Sequence, residues 1–290
     1  MLQVTSRWKD MIVDTHVHIW EIAPPKYPLG PTISTWNHYP KQPGTAEELI
    51  KEMDDHKVDW TVIVQSSWST WDNSYIADSV QSYPNRLIGH GLIDPQIPNN
   101  ADKIGYWVKD KGLSGFRFHP IYYPKEKVLI KPQNKPMWDE ISSVGAVVQF
   151  HVNPMFADQL AVIAKLYPNI IMIIDHLGYP NVKKSLLDYM PILELAKFPN
   201  IFLKLSDVAG RSTKPFPFED VHPFIKKAIE AFSVQRTMWG TGFPGDHRVK
   251  NNWLPLSKEL SLIREGLPFL SSTDREHLLG ITASKIWSLP

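Results

Sequence analysis

The chain of 290 residues has no cysteine, so disulfides, thiolate nucleophiles and cysteine-ligated zinc are excluded from any account of it. An excess of one charge is lacking too. The 31 lysines and arginines nearly cancel 30 aspartates and glutamates, and no basic run stands out. That argues against nucleic acid or a membrane surface as partner and leaves a small molecule as the expected one. Nowhere do about 18 apolar residues run together, the length a membrane-spanning helix needs. Met1–Asp10 is polar and has no apolar stretch of the kind that opens a secretion signal, so a cytoplasmic location is expected. No Gly-x-Gly-x-x-Gly follows the first apolar run, which weakens the dinucleotide-binding version of a doubly wound open sheet.

What is present points to a large, ordinary core. Hydrophobic residues make up 43% and charged residues 21%, a mix that can bury a core without disulfides or a membrane. The length suits one closed α/β barrel, for which roughly 250 residues is typical, and one domain over 1–290 is expected. Proline and tryptophan are both abundant, at 25 and 11 residues. Prolines crowd Glu21–Pro43, part of a long insertion over about 21–44, and a loop of that length usually serves a site. Tryptophans in loops serve either stiff packing or an apolar ligand pocket; Trp20, Trp36, Trp68 and Trp71 follow the first two strand-like runs and are open to both readings.

Eight short apolar runs recur, each bounded by turn residues and separated by stretches of helical spacing. They are Met11–Trp20, Trp60–Gln65, Arg86–Asp94, Leu113–Pro120, Ala146–Val152, Ile170–Gly178, Ile201–Asp207 and Thr237–Pro244. Several are almost continuously apolar, as parallel strands covered on both faces should be. Between them, Thr45-Ala-Glu-Glu48 is a capping box ahead of Leu49, Ile50 and Met53. Phe156, Leu160, Ile163 and Leu166 form an apolar stripe ended by Pro168-Asn169. Strand and helix alternating eight times predict a (β/α)8 TIM barrel of the α/β class.

Polar residues gather where such a barrel keeps its chemistry, at the C-terminal ends of the strands. Strand one ends in His16 and His18, which alternation puts on one side; strand four ends in Arg117 and His119, strand five in His151, strand six in Asp175 and His176, strand seven in Ser206 and Asp207. A lone histidine at such a place is commonly structural, and His90 and His119 are read first in that way. The set from three strands, His16, His18, His151 and His176, is harder to treat so. Neutral imidazoles can bind a divalent metal, and a histidine of near-neutral pKa can act as general acid or base. Arg117 offers a planar fork suited to a substrate carboxylate or sulfonate, although a surface charge on a buried stem is the plain alternative.

The segments VDTHVHIW, FHVNP, IDHLGYP, FLKLSD and MWGTGFP, in that order, resemble the motifs of the amidohydrolase-related (type-2 amidohydrolase) family of the amidohydrolase superfamily, over nearly the whole chain from Met11. The tryptophan after His-x-His and the DHLG-x-P segment are similar to the lactonase branch, pyrone-dicarboxylate lactonase and sugar-lactone hydrolases among it; nonoxidative aromatic decarboxylases are more distant. The resemblance implies a TIM barrel and a hydrolase that opens a small anionic or aromatic lactone. By the same resemblance His16, His18, His151 and His176 are catalytic, with His16, His18 and His151 as ligands if one divalent metal, zinc or manganese, is bound. Part of the branch works without metal. Arg117, His119, Trp20, Trp68, Tyr122, Asp246 and His247 are expected around the substrate, and family habit points to a homodimer. A metal-dependent decarboxylase of an aromatic acid and a non-catalytic ligand-binding relative are the alternatives.

One position departs from the family pattern. Where a strand-eight aspartate stands in a W-G-T-D-F-P segment, this chain has Gly242, which supplies neither ligand nor base. The resemblance gives that aspartate the proton of the attacking water, and a positioned general base is worth about 10²–10⁴-fold. A deliberately inactivated version of an enzyme, a member whose base has moved to Asp246 or His247, and a relative without chemistry would each account for the glycine. The intact surroundings favour the first.

Overall fold

A computed structural model of the chain describes residues 8–23, 25–30, 40–97, 100–242 and 254–290. Each of the eight apolar runs contains one strand: β1 (Val13–Val17), β2 (Trp60–Val64), β3 (Leu87–Leu92), β4 (Gly115–Phe118), β5 (Val147–Phe150), β6 (Met172–Ile174), β7 (Ile201–Leu205) and β8 (Thr237–Trp239). They pair in parallel and in chain order. The ladder is nearly closed, because Thr15 Oγ1 donates to the Trp239 carbonyl at 2.5 Å and the His18 amide to the Gly242 carbonyl at 2.7 Å. Both edges of the sheet are thereby covered, and the result is a (β/α)8 TIM barrel. The strands are shorter than the runs that predicted them. His18, His119, His151, Asp175, His176 and Ser206 lie just past the strand ends, whereas His16 and Arg117 belong to β1 and β4 themselves.

Helices between the strands form for local reasons and dock by their apolar stripes. In α1 (Ala46–His56) the Thr45 hydroxyl accepts from the Glu48 amide while the Glu48 carboxylate accepts from the Thr45 amide, the expected capping box. Its Leu49 and Met53 are buried against the barrel, and burial of each is worth roughly 1.5–3 kcal/mol. Helices α2 (Ser74–Ser82), α3 (Ala101–Gly105), α4 (Lys135–Val144) and α5 (Ala157–Leu166) follow in turn, and α4 stops at Gly145, whose φ of +67° a side chain would resist. Along α5, Phe156, Leu160 and Ile163 are buried as the stripe predicts, but Leu166 is 66% exposed. At 100° per residue it lies about 80° from Phe156, off the buried face, so the buried stripe ends at Ile163. Beyond lie α6 (Met190–Leu193), α7 (Val208–Arg211) and α8 (His222–Phe232). Among the described residues no helix is long and apolar enough to cross a membrane.

The core has two compartments. The larger packs helix stripes on the outer faces of the strands. The smaller fills the barrel from below: Val13, Val62, Val64 and Ile88 form one group, Val147, Ile173 and Met238 another, and Trp287 near the C-terminus packs against both. This apolar floor leaves the upper half of the interior to polar side chains.

Candidate active site

Directly above the floor, each odd-numbered strand contributes one polar side chain: His16 from β1, His90 from β3, Gln149 from β5 and Lys204 from β7, all with no exposure to solvent. Side-chain layers drawn from alternate strands are how a barrel of this type fills its interior. Such a layer survives in a dry interior only if its groups are paired. Lys204 Nζ donates to Gln149 Oε1 at 2.8 Å and lies 3.1 Å from His16 Nδ1; Gln149 Nε2 lies 2.8 Å from His90 Nδ1. Neither Lys204 nor Gln149 had been singled out in the sequence. The available signal was a polar residue inside an otherwise apolar strand, IFLKL and VVQF, at a register that points inward.

The next layer joins β4 and β6. Arg117 Nε donates to Asp175 Oδ2 at 2.7 Å, and Lys204 Nζ pairs with Asp175 Oδ1 at 3.1 Å, so one buried carboxylate lies between two buried cations. Burial by itself would raise the Asp175 carboxyl, but Lys204 and then Arg117 outweigh it and hold it well below the usual carboxylate range. Burial lowers Lys204 to about 8 against the pull of Asp175. Arg117 Nη2 also lies 3.1 Å from His176 Nε2, and His176 Nδ1 lies 2.9 Å from Ser206 Oγ. A guanidinium can only donate, so His176 carries its proton on Nδ1 and gives it to the serine oxygen. In Arg117, the residue expected to hold a substrate anion, Nε and Nη2 face Asp175 and His176.

At the mouth stand the imidazoles with some exposure. His18 Nδ1 lies 2.7 Å from the Val64 carbonyl, which can only accept, so the proton is on Nδ1 and Nε2 keeps its lone pair. His18 Nε2 lies 3.3 Å from His16 Nε2. His119 Nδ1 meets His151 Nδ1 at 3.1 Å, His151 Nε2 meets the Tyr179 hydroxyl at 2.5 Å, and Tyr122 stacks on His119 with ring centroids 5.0 Å apart. Burial lowers His16, His119, His151 and His176 well below the ordinary imidazole value and His18 to about 3, so all five are neutral at pH 7. Beside His151 and Tyr179 a cavity of about 300 Å³ opens, lined by Asn153, Tyr179, Asn181, Lys184, Asp188 and Tyr189. Its rim includes Tyr179, over whose ring the Arg211 guanidinium lies at 4.2 Å; Arg211 in turn pairs with Asp207 at 2.9 Å.

The barrel therefore brings His16, His18, His119, His151, His176, Arg117 and Tyr122 to one end. The tryptophans divide. Trp68 lies near His18, with ring centroids 6.4 Å apart, whereas Trp20 is 1% exposed and packs edge-on against Trp68 while its indole donates to the Gln42 carbonyl. Trp20 also pairs by backbone with Gly44, where an added Cβ would stand 2.7 Å from the indole ring, so this end of the long loop is fastened by close packing. Trp36, Asp246 and His247 lie outside the described residues. Gly242 is fixed by its neighbours: Asp14 accepts from both the amide and the hydroxyl of Thr241, and the Gly242 carbonyl accepts from the His18 amide. A Cβ added at Gly242 would meet no atom of the described residues within 4 Å.

Potential metal donors in this region are His16, Asp175 and His176, with ligand atoms within 4.8 Å of one another. This trio differs from the His16, His18 and His151 set implied by the resemblance, because the His151 nitrogens face His119 and Tyr179. The trio does not fit a divalent ion as it stands. Lys204 faces His16 Nδ1 and Asp175 Oδ1, and Arg117 faces Asp175 Oδ2 and His176 Nε2. Each candidate ligand thus already points an acceptor atom at a resident cation, and two further positive charges would meet two that are already buried.

A closed barrel with a ring of buried imidazoles, two buried cations and a cavity at the C-terminal mouth defines a barrel enzyme. The amidohydrolase family model matches residues 13–289, and the chain belongs to that family, on its lactonase-like side, as a hydrolase. It is similar to L-fucono-1,5-lactonase of Burkholderia ambifaria, 24% identical over 80% of this chain and 80% of that protein. It is also similar to 4-sulfomuconolactone hydrolase of Hydrogenophaga intermedia, 24% identical over 80% and 74%. In fold it matches the crystal structure of a probable 2-pyrone-4,6-dicarboxylic acid hydrolase from Acinetobacter baumannii with citric acid bound, at a TM-score of 0.79 and 19% identity over 96% of this chain and 99% of that one.

Proposed function

We propose that this protein hydrolyses the ring ester of a small anionic lactone. The observation that carries this reading is the cluster of neutral imidazoles His18, His119, His151 and His176 at the mouth, backed from below by the positive charges of Arg117 and Lys204. An ester carbonyl seated there develops negative charge when water attacks it, and fixed cations in a dry site stabilise that charge more than they would in water. The relatives named for lactones that carry sulfonate or carboxylate groups support an anionic substrate.

The attacking water needs a base, and His18, whose Nε2 already faces His16 Nε2 at 3.3 Å, is a poor one. Burial holds it to about 3, so it takes a proton poorly at neutral pH. A carboxylate at position 242, whose backbone is bonded to the His18 amide, would supply the missing base. Gly242→Asp is therefore expected to raise kcat on the true lactone by about a hundredfold or more, within the usual range for a positioned base. The test is acid release from a panel of sugar lactones, carboxylated or sulfonated muconolactones and pyrone dicarboxylate by both proteins. Equal rates would dispose of the role assigned to position 242. Failure of both proteins on every lactone, with carbon dioxide released from carboxylated aromatics, would replace the reading with decarboxylation.

A further inference from the structure

We infer that Lys204 takes the place of a metal ion in this barrel: its ammonium is the resident cation of the centre, and it sets the strand-one histidine pair in a protonation pattern that cannot hold a divalent ion. The inference concerns the same site as the proposed reaction but stands on the geometry alone, whichever ester the enzyme opens.

An ammonium has three N–H donors and no acceptor. Around Lys204 Nζ, and at the distances given above, stand two acceptors, Gln149 Oε1 and His16 Nδ1, with Asp175 Oδ1 as its ion-pair partner; that oxygen also lies 3.5 Å from His16 Nδ1. With Lys204 directed at its Nδ1, His16 carries its own proton on Nε2, and that N–H faces the lone pair of His18 Nε2, the remaining proton of His18 being held by the Val64 carbonyl. The chain of donors runs in one direction, from Lys204 through His16 and His18 to a backbone oxygen. A metal bridging the two Nε2 atoms needs a lone pair on both, and in this pattern His16 Nε2 has none. Arg117 acts in parallel on the other side by occupying His176 Nε2 and Asp175 Oδ2. Lys204 is wholly buried against His16, Gln149 and Asp175, so it acts as a positioning residue for His16 and Asp175 and as a source of fixed charge, without touching substrate.

The test needs no turnover. The native chain, incubated with excess zinc and then freed of unbound ion, is expected to retain far less than one equivalent at this centre. Lys204→Met, which keeps the length of the side chain and removes the charge, is expected to retain zinc at least tenfold more tightly, and the gain should vanish in the double variant with His16→Asn. One tightly held zinc per native chain that His16→Asn removes would overturn the inference. So would a folded Lys204→Met protein no better at holding zinc than the native one. Should Lys204→Met not fold, the native chain still decides the matter: nitrogen NMR of labelled histidine is expected to show His16 protonated on Nε2, and a proton on Nδ1 would overturn the inference. None of these outcomes depends on the lactone panel, so the two proposals fail separately.

Discussion

At the scale of single residues, the site is governed by which groups can only donate and which can only accept. Lys204, Arg117 and the Val64 carbonyl have no choice of role, and they fix the protons of His16, His176 and His18 in turn. Among the described residues, Asp175 is the carboxylate that pairs with both buried cations, and removing its charge leaves those pairs broken. Breaking a buried ion pair from one side typically costs about 3–5 kcal/mol. Asp175→Asn is therefore expected to lower stability by about that amount, seen as a drop in the denaturant midpoint with the slope unchanged. A loss below 1 kcal/mol would mean that solvent reaches the pair and that the layer is not dry.

At the scale of elements, α1 starts where its cap places it. The capping box of α1 satisfies two backbone groups that would otherwise face no partner, and it sits one residue after Gly44, which is paired with Trp20. Thr45→Ala is expected to destabilise the protein by about 1 kcal/mol, measured by thermal or chemical unfolding, with the site chemistry untouched because Thr45 lies away from the imidazoles. Each strand, in contrast, is stable only in company. Lys204 and Gln149 would be costly interruptions in isolated apolar strands and become assets once each meets the other.

For the molecule as a whole, the buried imidazoles make folding depend on pH. His18 and His90 are held at about 3 by burial, against an ordinary value near 6.5. Between those values the unfolded chain binds protons that the folded chain refuses, so folding is fully supported above about 6.5 and weakens as pH falls toward 3. Each such group contributes up to about 1.4 kcal/mol per pH unit in that window, and His16, His119, His151 and His176 shift in the same direction. The unfolding temperature is expected to fall steeply below about pH 6. A flat profile from pH 7 to 4 would show that these rings are hydrated and able to take up protons in place.

The sequence by itself determined the eight strands, their order and the end of the barrel at which the histidines gather, because apolar runs, turn residues and side-chain alternation are local properties of the chain. It also exposed the absence of an acid at Gly242. What the tertiary structure decided is the company those histidines keep. Lys204 is 188 residues from His16 and 55 from Gln149, and only closure of the barrel puts them in one layer. The same closure turned Arg117 toward Asp175 and His176 and placed His151 against His119 and Tyr179. Pairings of this kind depend on the energy of enclosing charges away from water, which no stretch of sequence carries until the surrounding strands have met.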